Sequence, residues 1–160
     1  MKIRNNFVSN SSSTFFVIAY KNDDSYIINL FNNYDGKNED EDENIILRES
    51  GISVIGADCI LELLKEGQEA GKRLWARIED KKDDESLGYG GRTIKDKRQY
   101  LKNCHNEKDK LIKEIKKYNK EGWKIADIFI GYHDDRLNMI FNQMVKNGNI
   151  VILKSEGEKK

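Results

Sequence analysis

Gly122-Trp123-Lys124-Ile125-Ala126-Asp127-Ile128-Phe129-Ile130-Gly131-Tyr132-His133-Asp134-Asp135, continued to Leu153, is the stretch from which the fold is read. Lys124 to Ile130 is a short apolar run of strand length. Asp134 and Asp135 stand where a helix N-terminus is capped. Leu137, Ile140, Phe141, Met144 and Val145 then recur at helical spacing, and Gly148 closes the helix. Asn149-Ile150-Val151-Ile152-Leu153 is a second apolar run. Strand, helix and strand in that order read as a βαβ unit packed on a sheet, with Ile128 and Val151 side by side in one layer.

Upstream, Thr14 to Tyr20 is aromatic, β-branched and apolar on both faces, as a buried central strand requires. Asp23 or Asp24 can cap a short helix bearing Tyr26, Ile27, Leu30 and Phe31, with a strand over Ser25 to Phe31 as the competing reading. Ile45 to Leu47 is a short strand candidate. Ile52 to Ile55 extends it or leads into the next helix. That helix is expected from Ala57 to Glu69, with Ile60, Leu61, Leu63 and Leu64 on its apolar face and Gly71 as its stop. Gly67 weakens its last turn by roughly 1 kcal/mol relative to Ala. Leu74 to Ile78 alternates and reads as a strand. Thr93 caps the longest helix, Ile94 to Glu121, in which Leu101, Cys104, Leu111, Ile115 and Tyr118 follow a three-four spacing and Lys108 interrupts the seam. Trp75 and Trp123 read as core residues. The expected architecture is α/β: one layered domain over residues 1–160, a mostly parallel or mixed sheet of about five strands, and helices on both faces. Residues 1–13 form a Ser/Asn-rich leader, and 155–160 a frayed tail.

The totals limit function. Of 160 residues, 28 are Lys or Arg and 28 are Asp or Glu, so the formal net charge is zero. A bulk electrostatic case for nucleic acid or an anionic membrane is absent. No apolar run approaches the roughly 20 residues of a bilayer span, and after Ile3 the N-terminus is too polar for a secretory signal. Two cysteines, Cys59 and Cys104, suit a reducing interior with buried thiols. The block Glu39-Asp40-Glu41-Asp42-Glu43 reads as a solvated loop, or as a mimic of a nucleic-acid backbone.

Arg4-x-x-Phe7-Val8-Ser9-Asn10-Ser11-Ser12-Ser13-Thr14-Phe15 resembles the opening of a scattered group of bacteriophage and bacterial proteins, which begin Arg-x-x-Phe-Val-(Ser/Thr)-Asn, a serine run, Phe and a strand. Here the serine run is shorter and Thr14 replaces its last member. The resemblance implies a phage or mobile-element setting, in the host cytoplasm or the virion. It brings no catalytic residue with it.

Four places carry candidate chemistry. Tyr132-His133-Asp134-Asp135 follows a strand, where α/β sheets bind ligands. A His with two carboxylates there can hold a divalent cation or act as acid and base on a phosphate ester. Glu79 and Asp80 are the best sources of a third acid. Capping of the helix by Asp134, with Asp135 facing its dipole, is the simpler reading. Gly88-Tyr89-Gly90-Gly91-Arg92-Thr93 leads into a helix N-terminus, where Gly90, Gly91, Arg92 and Thr93 can bind an anion. It lacks the Gly-Lys-Ser/Thr of a P-loop, and a mobile glycine loop is the simpler reading. Cys59, Cys104, His105 and His133 lack metal-ligand spacing, so no metal and no cofactor is expected. Lys110, Lys113, Lys116, Lys117 and Lys120 line the long helix, diluted by Glu107, Asp109 and Glu114. Three functions follow: an accessory protein that binds another protein; an enzyme on phosphate esters or nucleotides; and, least supported, a nucleic-acid binder. The first is preferred, because no catalytic set rises above its structural explanation.

Overall fold

The computed structural model describes residues 13–21, 25–32, 50–88 and 90–157. The leader before Ser13, the acidic run and the Ile45 to Leu47 strand candidate lie outside the described residues. The elements run β1 (Ser13–Tyr20), α1 (Ser25–Asn32), β2 (Gly51–Ile55), α2 (Ala57–Ile78), α3 (Ile94–Lys120), β3 (Lys124–Gly131), α4 (Asp135–Lys146) and β4 (Ile150–Glu156).

Among the described residues four strands form one sheet in the order β2-β3-β1-β4. Every neighbouring pair is antiparallel. This corrects the expected mostly parallel or mixed sheet of about five strands. The βαβ expectation is corrected with it. β3, α4 and β4 exist where the periodicity puts them, but β1 is inserted between the two strands. Ile18 pairs with Ala126 on one side and Ile152 on the other. Ile128 and Val151 are therefore not neighbours. β1-α1-β2 is split in the same way, by β3. Two interleaved split β-α-β units are the connectivity of the ferredoxin-like arrangement. Here two long helices join β2 to β3.

The chain divides into two compact units, Met1–Ile60 with Ile115–Lys160, and Leu61–Glu114. In the first, alternate residues of the strands face one way. Ile18 and Tyr20 of β1, Ala126, Ile128 and Ile130 of β3, and Ile150 of β4 form one buried cluster with Ile27 and Phe31 of α1 and Leu137 and Phe141 of α4. Phe141 meets Phe16 at 4.8 Å and Phe31 edge-on at 6.4 Å between ring centres. On the other sheet face Ala19 and Ile125, directly paired, are fully buried. β4 runs to Glu156, into the segment expected to fray. The next residue, Gly157, lies so close to β1 that a Cβ there would stand 2.8 Å from Thr14 Cα, at a φ of +144°.

The second unit is an antiparallel helical hairpin. α2 does not stop at Gly71; it continues through Leu74 to Ile78, and the strand expected there is helix. Leu74-Trp75-Ala76-Arg77-Ile78 alternates over five residues, but Gly67, Ala70, Gly71, Leu74 and Ile78 also repeat at three-four spacing. Ile78 is buried with Ile94 and Leu101 of α3, and that burial selects the helix over the alternation. The turn is locked by Arg98. Its Nη2 donates to the carbonyls of Ile78 (2.7 Å), Glu79 (3.1 Å) and Lys81 (2.6 Å), and its Nη1 donates to the Asp83 carboxylate. The planar fork thus holds the last carbonyl of α2, that of Ile78, which also accepts the Lys81 amide at 3.1 Å, together with two carbonyls of the turn.

Candidate functional site: an apolar groove in the helical hairpin

At the end of β3 the proposed acid-base group comes apart. His133 and Asp135 are exposed, whereas Asp134 is buried. Asp134 occupies the N-cap position of α4 without a side-chain cap hydrogen bond. Its Oδ2 instead accepts the Ser50 hydroxyl at 2.6 Å, and Ser50 Oγ in turn accepts the Gly131 amide at 2.8 Å. Asn138 Nδ2 donates to the carbonyls of Gly131 and Asp134. The network ties the residue before β2 to the end of β3. It was not legible in the sequence, because Ser50 and Asp134 lie 84 positions apart. Tyr132 and His133 stack edge to face at 5.2 Å. Glu79 and Asp80 lie in the exposed turn after α2, in the other unit. Among the described residues no three of His, Cys, Asp and Glu gather as a metal would need. The cleft that motivated this site required β3 and β4 to be parallel neighbours, and β1 fills that position.

The glycine loop is also accounted for by its own chain. The Thr93 amide donates to Asp96 Oδ2 at 2.9 Å, and the Asp96 amide donates to Thr93 Oγ1 at 3.4 Å, a reciprocal cap. These bonds with Thr93 hold the Asp96 carboxyl below its ordinary value. The Ile94 amide donates to the Glu85 carbonyl and the Lys95 amide to the Asp83 carbonyl. The first amides of α3, which an anion at Gly90, Gly91, Arg92 and Thr93 would use, already have acceptors.

Cys59 is exposed rather than buried, and Cys104 is half-buried. Lys110, Lys113, Lys116, Lys117 and Lys120 are exposed along α3, with Lys113 paired to Asp109 at 3.6 Å. On the second sheet face Phe15 and Phe129 lie 5.9 Å apart across β1 and β3. Paired aromatics on central strands can stack bases. Beside them, however, sit Asp127 and Glu156. Burial, with Glu156 adding and Lys154 opposing, pushes the Asp127 carboxyl up to about 6. Above that pH the face presents two carboxylates and one cation, Lys154, which Glu156 holds at 2.9 Å, so these groups leave no net positive charge for a phosphate backbone.

The groove lies between α2 and α3. It encloses about 380 Å³. Gly67, Ala70 and Gly71 of α2 make a floor without bulk, and Leu74, Trp75, Tyr100, Leu101 and Cys104 supply the apolar walls. Trp75 is 37% exposed and Tyr100 is 61% exposed, so Trp75 is not the core residue expected. A hydrogen bond with Cys104 raises the Tyr100 hydroxyl above its ordinary pKa. Lys108 closes one end with its aliphatic stem over Gly67, where a Cβ would come within 2.8 Å of Lys108 Cε. Gln68 Nε2 reaches the His105 carbonyl at 3.4 Å. Two oddities of the sequence, a glycine inside α2 and a lysine in the α3 seam, are thus one contact. They were the available signal for the groove; reading Gly71 as a helix stop concealed it.

No family model, no curated protein and no solved structure matches this chain. No helix among the described residues is long and apolar enough to cross a membrane.

Proposed function

We propose that this protein works by binding another protein, and that it does so through the groove between α2 and α3. The carrying observation is an apolar groove of about 380 Å³ with Leu74, Trp75 and Tyr100 still 38%, 37% and 61% exposed along it. Concave apolar surface flanked by aromatic side chains is what an interface anchor needs, since such residues carry much of the binding energy once covered. Small residues at the floor allow a partner's backbone or side chains to approach closely. The N-terminal resemblance to phage and bacterial proteins supports a partner that is a host factor or a virion component, met in the host cytoplasm or in the particle. An enzyme acting on phosphate esters through Tyr132 to Asp135 has no comparable support, because His133 and Asp135 are exposed apart from the buried Asp134.

The test is affinity capture from host extract with the full chain as bait, beside Trp75→Ala and Tyr100→Ala baits. Truncating an aromatic anchor costs about 2 kcal/mol of binding, some thirtyfold in Kd. A protein retained by the wild type and lost with both variants supports the reading. A partner retained equally by all three baits refutes it.

A further inference from the structure

The groove has a charge of one sign. Three lysines, Lys72, Lys102 and Lys108, stand among its lining residues, together with His105, and no Asp or Glu does. Lys72 is held by Glu69 at 3.3 Å in a pair whose side chains are both mostly exposed, which contributes little. Among the described residues Lys102 and Lys108 form no salt bridge. Lys108 lies at the Gly67 end, and Lys102 is six positions before it, about 9 Å along α3. The α2 side of the groove, from Gly67 to Trp75, spans eight residue steps, about 12 Å, a little over two turns of a helix.

Resting on the binding role proposed above, we infer that the groove takes an amphipathic helix of another protein whose apolar stripe is flanked by carboxylates. A helix laid along α3 that places acids six or seven positions apart brings one near Lys102 and one near Lys108, with its aliphatic or aromatic anchors between them at i, i+3 or i+4 and i+7. A second copy of this chain is the poorer occupant. A two-fold interface on this surface would set one groove's lining against the other's, and that lining, which holds no Asp or Glu, offers Lys102 and Lys108 no carboxylate. A nucleic-acid strand is also disfavoured. Lysines beside Trp75 and Tyr100 are also what a single strand uses, but a chain of zero net charge supplies no long-range attraction for phosphates, and an oligo(dT) probe separates the two.

The experiment is selection from a displayed library of helical peptides of about 18 residues, the apolar positions fixed and the flanking ones drawn from Glu, Gln and Lys. Baits are the full chain, a Lys102→Glu/Lys108→Glu variant, and Gly71→Leu. The last fills the groove, since a Cβ at Gly71 meets nothing within 4 Å. Circular dichroism confirms that each bait is folded. Peptides enriched on the wild type are expected to carry Glu six or seven positions apart, to bind at least about tenfold more tightly than their Lys-flanked counterparts, and to weaken with salt. The double variant should reverse that preference, and Gly71→Leu should bind neither kind. Enrichment without a charge preference, blocked by Gly71→Leu, overturns the acidic partner and leaves groove binding intact. No enrichment, or enrichment that Gly71→Leu does not disturb, overturns both. Tighter binding of a fluorescent oligo(dT), lost in the double variant, overturns the inference in favour of nucleic acid.

Discussion

Replacing Asp127 by Asn should stabilise the sheet unit, and only above mildly acid pH. Asp127 is at the middle of the central strand β3, opposite Val17 on β1 and Val54 on β2. Burial raises its carboxyl from the ordinary 3.8 to about 6 in the folded protein, with Glu156 adding and Lys154 opposing. Below about pH 3.8 folded and unfolded chains both hold the proton, so this group exacts no penalty. Between 3.8 and 6 the unfolded chain gives up its proton first, and the native state loses stability progressively. Above about pH 6 the loss is complete. Roughly two pKa units correspond to about 3 kcal/mol, and solvent screening of a half-buried group reduces that to about 1–2 kcal/mol. Asn keeps the shape and removes the charge. The assay is urea unfolding of the wild type and Asp127→Asn between pH 4 and 7.5. Both are made in a Trp75→Phe background, so that of the chain's two tryptophans only Trp123 reports. The difference in midpoint should be near zero at the acid end, grow towards neutrality and level off above pH 6. A difference independent of pH, or a variant less stable at pH 7, would refute the argument and show the Asp127 charge to be favourably engaged.

Three further outcomes are expected. Ser50→Ala removes both the hydrogen bond to Asp134 and that from the Gly131 amide, and should cost about 1–3 kcal/mol, read as a lower urea midpoint of Trp123 fluorescence. Arg98→Ala removes the side-chain donor from the Ile78, Glu79 and Lys81 carbonyls, of which Ile78 keeps the Lys81 amide, and should cost the hairpin about 1–2 kcal/mol, with faster amide exchange at Lys81, Glu85, Ile94 and Lys95; Arg98→Lys should restore less than half, since an ammonium cannot replace the fork. Gly67→Ala should raise hairpin stability by about 0.5–1 kcal/mol in thermal unfolding read by Trp75, because the flexible end of Lys108 can move aside while the helix gains a better former. A loss there would mean that the Lys108 stem is held more firmly than its contact implies.

Local pattern alone located much of this protein. The spacing of Leu137, Phe141 and Val145 places α4, the apolar runs place β1, β3 and β4, and Thr93 marks the start of α3, since these signals depend on neighbours within a turn or two. Leu74 to Ile78 defeated them because five residues fit both a strand alternation and one helical face, and the burial of Ile78 against Ile94 and Leu101 made the choice. Strand order was out of reach for a different reason. A strand covered on both faces has the same composition whether its neighbour runs parallel or antiparallel, so nothing in Ile125 to Ile130 or Ile150 to Leu153 shows that β1 will lie between them. The groove is the same kind of case: Gly67 and Lys108, 41 positions apart, acquire their meaning only when the hairpin folds one onto the other.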